Sequence, residues 1–188
     1  SQTAEGPIRL WSAPSVEGPW TDLGTILSAG SAGAWDDTTV YAPHLIKDGS
    51  TWYLFYTGGG DSSGDAHHIG YATANSITGT YTKYGSNPVI SASGQAGTFD
   101  RYRASEPFVF KDADDNWYCF YMGDAGSGAT QVETIGFATA DAVTGPWTKQ
   151  QTSTPAIGLG TAGSIDAGTV ADPWVVGPVN GWYVIGYA

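Results

Sequence analysis

Apolar and aromatic residues fall in short runs along the chain, each bounded by Gly, Asp, Ser or Pro, and no stretch sustains a helical apolar period. The pattern predicts strands and turns, with helix nearly absent. Between 107 and 150 the runs lie at 107–111, 116–122, 133–140 and 146–150, four strand candidates in succession. The aromatic run from Trp52 to Tyr56 carries large side chains at alternate and intervening positions alike, so both faces of its sheet must be covered.

The runs repeat. Asp36, Asp100 and Asp166 each precede a proline seven positions on (Pro43, Pro107, Pro173), and each proline leads to a Trp-Tyr pair at Trp52-Tyr53, Trp117-Tyr118 and Trp182-Tyr183. Ile69-Gly-Tyr-Ala-Thr-Ala runs on to Gly79 and Tyr81, and Ile135-Gly-Phe-Ala-Thr-Ala to Gly145 and Trp147. The third copy of that half is N-terminal: Ile8-Arg-Leu-Trp-Ser-Ala leads to Gly18 and Trp20. A period of roughly sixty residues with four strands per unit predicts an all-β chain, a β-propeller with three four-stranded blades per chain. One blade is shared between the termini, its inner strands at 173–176 and 182–187 and its outer strands at 8–13 and 19–23. Three blades are too few to fan around an axis, so either two chains form a six-bladed homodimer or the chain is a fragment of a larger propeller.

At 188 residues with this period, 1–188 is one domain. No apolar run is long enough to span a membrane, and no leader is recognisable, so the chain reads as a mature product or a fragment. Eighteen acidic against seven basic residues disfavour nucleic acid and anionic membrane surfaces as partners. The acidity and the Gly, Ser and Thr loops suit an extracellular or secreted protein. Cys119, the sole cysteine, takes the strand position of Leu54 and Val184 and is read as a core residue.

Positions that differ between copies are the candidates for chemistry. Before the repeated proline stand Ala42, Glu106 and Asp172, so equivalent sites on neighbouring inner strands carry two carboxylates. Such a pair suits glycoside hydrolysis, one protonated acid serving the leaving oxygen and one carboxylate serving water or the anomeric carbon. An acid before proline also serves as a turn acceptor, and that alternative stays open. Tyr41, His44, Arg101, Tyr102, Arg103 and Trp174 flank these positions without recurring in every copy and are candidates for stacking and hydroxyl recognition. Asp36, Asp100 and Asp166 recur and read as structural. The repeated Trp52, Trp117 and Trp182, with Tyr53, Tyr118 and Tyr183, read as core. Asp65, His67 and His68 do not assemble a coordination shell locally, and 112–116 reads as a hairpin turn rather than a calcium loop, so no metal site is assigned.

The segments Val40-Tyr-Ala-Pro-His-Leu-Ile with Trp52-Tyr-Leu-Phe-Tyr-Thr-Gly, and Ala104-Ser-Glu-Pro-Phe-Val-Phe with Trp117-Tyr-Cys-Phe-Tyr-Met-Gly, resemble successive blades of the glycoside hydrolase family 43 and family 32 superfamily. That resemblance implies a five-bladed propeller cleaving arabinosyl, xylosyl or fructosyl carbohydrate with a base, a general acid and an aspartate that tunes the acid. It maps active-site carboxylates onto Glu106 and Asp172, and it admits a channel calcium ion near His44, with no other cofactor. The chain departs from the family pattern at Ala42, at Ala171 where the general-acid glutamate commonly stands, and at Glu106 where aspartate is usual. The alternative function is a non-catalytic glycan-binding or structural propeller, such as a surface or phage adhesion module.

Overall fold

The computed structural model describes residues 6–59, 66–126 and 131–188, and they contain twelve β-strands and no helix. Strands β1 (Ile8–Ser12) and β2 (Thr21–Leu27) form an N-terminal hairpin. Strands β3 (Thr39–Asp48), β4 (Thr51–Gly59), β5 (His67–Ala74) and β6 (Thr82–Lys83) form one antiparallel array. A second array repeats it with β7 (Arg103–Lys111), β8 (Trp117–Asp124), β9 (Glu133–Ala140) and β10 (Thr148–Lys149). One parallel bridge, His67 to Arg103, links the two arrays. A hairpin of β11 (Trp174–Val179) and β12 (Trp182–Gly186) completes the order.

The arrays pack face to face. Phe55, Ile69 and Tyr71 of the first bury against Val109, Cys119, Ala138 and Val143 of the second, with the Trp147 ring edge-on to Phe55 at 5.9 Å. Each large side chain removed from water there contributes about 1.5–3 kcal/mol. A second core gathers Val40, Leu54, Tyr56, Ala72 and Tyr81 with Ile8 and Leu27 of the N-terminal hairpin.

Close packing explains the repeated glycines of β4, β5, β8 and β9. A Cβ on Gly58 or Gly70 would collide with the Trp35 ring, and one on Gly123 or Gly136 with the Phe99 ring. The repeated aspartates lie beside these rings. Asp36 accepts hydrogen bonds from the Tyr56 hydroxyl at 2.9 Å and Lys83 Nζ at 2.6 Å, while Asp100 accepts from the Tyr121 hydroxyl at 3.1 Å and from Lys149 Nζ. Both aspartates are buried and ion-paired, which is the structural role expected of them.

Three expectations need correction. The hairpin β1–β2 and the hairpin β11–β12 lie in different sheets, so the blade shared between the termini is not formed within this chain. Ile8 and Leu27 instead join the first array's core. In the repeat alignment Asp22 also takes the place of Lys83 and Lys149, so this hairpin would bring Asp166 a carboxylate where the other units bring an ammonium. Secondly, two of the three inner strands do not open at the proline: β3 and β7 begin four residues earlier, with ladders broken between Tyr41 and His44 and between Ser105 and Phe108, whereas β11 opens at Trp174, directly after Pro173. The proline, which has no N–H to donate, sits at that irregularity.

Thirdly, Trp182 is not core. The pairs Val109 with Cys119 and Val175 with Ile185 are equivalent, so the third unit is displaced by one residue against the Trp-Tyr alignment. Tyr183, not Trp182, matches Trp117, and Cys119 matches Ile185 rather than Val184. Trp182 is left 74% exposed and Tyr183 44% exposed.

Candidate functional site

Ala42, Glu106 and Asp172 share a backbone state that the sequence pattern did not disclose: all three have positive φ, at 46°, 55° and 48°. Left-handed backbone costs a non-glycine residue of order 1–3 kcal/mol and persists only where surrounding contacts impose it. It kinks β3 and β7 and turns the residue before proline out of the ladder. At Glu106 the main-chain N–H donates to Thr57 Oγ1 of β4 at 2.8 Å. At Asp172 the main-chain N–H donates to Glu106 Oε2 at 2.9 Å. The two carboxylate-bearing positions are therefore joined directly.

Their surroundings differ. Glu106 is half-buried, and desolvation pushes its pKa up from 4.5 to about 7. The Asp172 N–H opposes that rise, the charges of Asp172 and Glu133 reinforce it, and Arg103 opposes it again. Asp172 is exposed. Glu106 thus resists ionisation beside a carboxylate in contact with water.

The other sequence candidates are distributed around this pair. Arg103 is buried, with Nε 3.9 Å from Asp124 Oδ2 and both terminal nitrogens 2.7 and 3.1 Å from the Gln131 amide atom that hydrogen bonding assigns as oxygen. Arg101 lies over the Tyr102 ring at 4.7 Å, and both are half-exposed. Tyr41 bonds through its hydroxyl to His67 Nδ1 at 2.6 Å. His44 Nε2 bonds to the Val109 carbonyl at 2.7 Å, its ring packs on Phe108 at 4.6 Å, and burial holds its pKa below the usual value. That makes His44 a fastening between the arrays. Trp174, half-exposed, covers Gly186.

Thr57, Glu133 and Asp124 were missed by sequence reasoning. Thr57 is a fully buried hydroxyl in an aromatic strand where the second copy has Met122, and that mismatch was a signal. Glu133 opens β9 as His67 opens β5, and accepts from Thr169 Oγ1 at 2.6 Å. Asp124 accepts from the Gly126 and Val132 N–H groups at 2.8 and 2.9 Å.

No group of three or more His, Cys, Asp or Glu among the described residues is arranged to hold a metal ion. His68 Nδ1 accepts from the Ala92 N–H at 3.0 Å, and Asp65 lies outside the described residues. Asp112 Oδ1 accepts from the N–H groups of Asp114 and Asn116 at 2.9 and 2.8 Å, the hairpin turn expected there.

The model for glycosyl hydrolases family 43 matches residues 1–123. A probable arabinan endo-1,5-alpha-L-arabinosidase A from Aspergillus flavus is 32% identical over 185 residues, covering 96% of this chain and 48% of that protein. A probable arabinan endo-1,5-alpha-L-arabinosidase C from Aspergillus fumigatus is 38% identical over 88 residues, covering 46% of this chain and 27% of that protein. The chain spans about half the length of the first of these relatives. Among solved structures, a family 117 glycoside hydrolase from Zobellia galactanivorans superposes with a TM-score of 0.63 at 22% identity, covering 81% of this chain and 45% of its own. A Bombyx mori GH32 beta-fructofuranosidase superposes with a TM-score of 0.65 at 17% identity, covering 98% of this chain and 35% of its own. These are β-propeller glycosidases, and the chain shares their fold. By the extent of the family match, this chain belongs to glycosyl hydrolases family 43.

Proposed function

We propose that the chain carries part of the active site of a glycoside hydrolase acting on arabinosyl or xylosyl polysaccharide. The observation that carries this reading is the Glu106–Asp172 junction, where a carboxyl with a pKa of about 7 adjoins an exposed one. Glu106 is the proton donor to the leaving glycosidic oxygen, because burial keeps its proton on near neutrality. Asp172 is the carboxylate that activates water, and an inverting reaction requires the two groups roughly 6.5–9.5 Å apart around that water. The arabinan-cleaving names of the matched relatives support arabinan as the first substrate to try.

In this reading the units are propeller blades, and the ring is completed either by more of the same polypeptide or by a second copy. The exposed aromatic residues of the third unit, Trp174 and Trp182 among them, support the need for such a neighbour. The acidic composition supports an extracellular setting. No helix among the described residues is long and apolar enough to cross a membrane.

Release of reducing sugar from linear arabinan and from xylan is the test. Glu106→Gln and Asp172→Asn should each lower kcat by about a hundredfold or more with the circular dichroism spectrum unchanged. Hydrolysis unaffected by either change excludes both residues from the chemistry. Ala42 at the remaining equivalent position, together with the hydrogen bond that already occupies Glu106 Oε2, favours a second reading as a non-hydrolysing glycan-binding propeller. Oligosaccharide binding without turnover, weakened by the same substitutions, would establish that second reading.

A further inference from the structure

We propose that Thr57 is a positioning residue for Glu106, its hydroxyl holding the left-handed backbone from which the Glu106 carboxyl is aimed at Asp172. This rests on the reading of Glu106 as a functional acid. A left-handed residue before a proline has no ladder partner for its N–H, and a buried acceptor for that donor stabilises the left-handed state. Thr57 Oγ1 takes it at 2.8 Å, from a strand 49 residues earlier and from a side chain with no exposed surface.

The third unit lacks an equivalent hydroxyl and solves the same problem differently. The Thr57 position in the second array is Met122, whose sulfur receives the Ser105 hydroxyl at 3.7 Å. At Asp172 the left-handed N–H is taken instead by Glu106 Oε2 at 2.9 Å. The groups therefore form a chain across three units: Thr57 holds the Glu106 backbone, and the Glu106 side chain holds the Asp172 backbone. A Thr57 variant lacking the hydroxyl frees both carboxylate positions.

The substitution that isolates this role is Thr57→Val, which keeps the branched shape and removes the acceptor, with Thr57→Ser as the conservative rescue. On linear arabinan, Thr57→Val should lower kcat by about ten- to a hundredfold with KM within about twofold, while Thr57→Ser stays within about threefold of the parent. A second readout does not depend on turnover. In carbon-13 glutamate-labelled chain, the Glu106 carboxyl should titrate about one unit or more lower in Thr57→Val, because a freed side chain swings toward water. Asp172, Glu133 and Arg103 are the charged groups acting on it, and the substitution alters none of the three.

A third measurement needs no variant: the Glu106 amide should be protected from hydrogen exchange in the unaltered chain. Exchange of that amide at loop rates, or a Thr57→Val chain with unchanged kcat and an unchanged Glu106 titration, overturns the proposal. If the parent chain hydrolyses neither arabinan nor xylan, the hydrolase reading fails while exchange and titration still decide the role of Thr57.

Discussion

The first two units and the third share one pattern but differ in how their repeated aspartate is treated. Asp36 and Asp100 are each 1% exposed, and each meets a tyrosine hydroxyl and a lysine ammonium, the lysine coming from the unit's own fourth strand. Asp166 keeps the tyrosine, with Tyr187 donating at 3.0 Å, but it is only half-buried and takes its second bond from Ser164 Oγ at 2.6 Å. The tyrosine–aspartate contact is thus built into the inner two strands. Burial and the ion pair come from the outer two, which the described third unit does not include.

The faces show the same contrast. Phe55 of the first array is fully buried because it shares a core with Val109, Cys119 and Ala138 of the second and the Trp147 ring lies against it. Among the described residues, the equivalent face of the second array, with Phe110, Phe120 and Phe137, is covered by the β11–β12 hairpin. A cavity of about 260 Å³ remains there, lined also by Tyr118, Val175, Tyr183 and Ile185. Two strands hold a unit in register, and four are needed to seal its neighbour.

The sharpest way to break this comparison is through the aspartates. Asp100→Asn removes the charge opposite Lys149 in a buried setting and should cost about 3 kcal/mol in urea denaturation, whereas Asp166→Asn, with no ammonium opposite it among the described residues, should cost far less. Equal effects at the two positions would show that the missing outer strands do not matter to the aspartate.

A smaller difference is expected between two glycines that both face an aromatic ring. Gly136→Ala drives a methyl into the buried Phe99 and should cost about 1–3 kcal/mol. Gly186→Ala meets Trp174, half-exposed and able to swing aside, and should cost about 0.5 kcal/mol or less. Thermal unfolding of the two variants compares a closed face with an open one.

The smallest effect concerns the candidate-site carboxyl of Glu106. Glu106 binds its proton more tightly folded than unfolded, so the folded chain holds the extra proton between about pH 4.5 and 7. Its contribution to stability is fully present below that window and is lost as the pH rises through it. Glu106→Gln should flatten that slope of denaturation midpoint against pH. For the same reason, hydrolysis that needs a protonated Glu106 should decline as the pH rises through about 7.

Part of the candidate site was legible by subtraction. Aligning the units exposes Glu106 and Asp172 as carboxylates standing where the first unit has alanine, and the structure joins them by a hydrogen bond. Thr57 escapes notice in the sequence because a threonine within an aromatic strand is locally unremarkable. It gains meaning only from a partner 49 residues away. Arg103 was expected to face a ligand, but it is buried against Asp124 and Gln131, neither of which is its neighbour in sequence.

By itself the sequence determined the strands, their turns, the repeat and the structural standing of its aspartates, because each depends on alternation along a strand or on spacing that recurs in every copy. Tertiary structure alone decided the one-residue displacement that exposes Trp182, the separation of the terminal hairpins into different sheets, and the protonation of Glu106. Those outcomes depend on which surfaces lose water and which charges meet across units. Glu106 and Asp172 are 66 residues apart along the chain, and neither a carboxyl's solvation nor its neighbours can be read from the residues beside it.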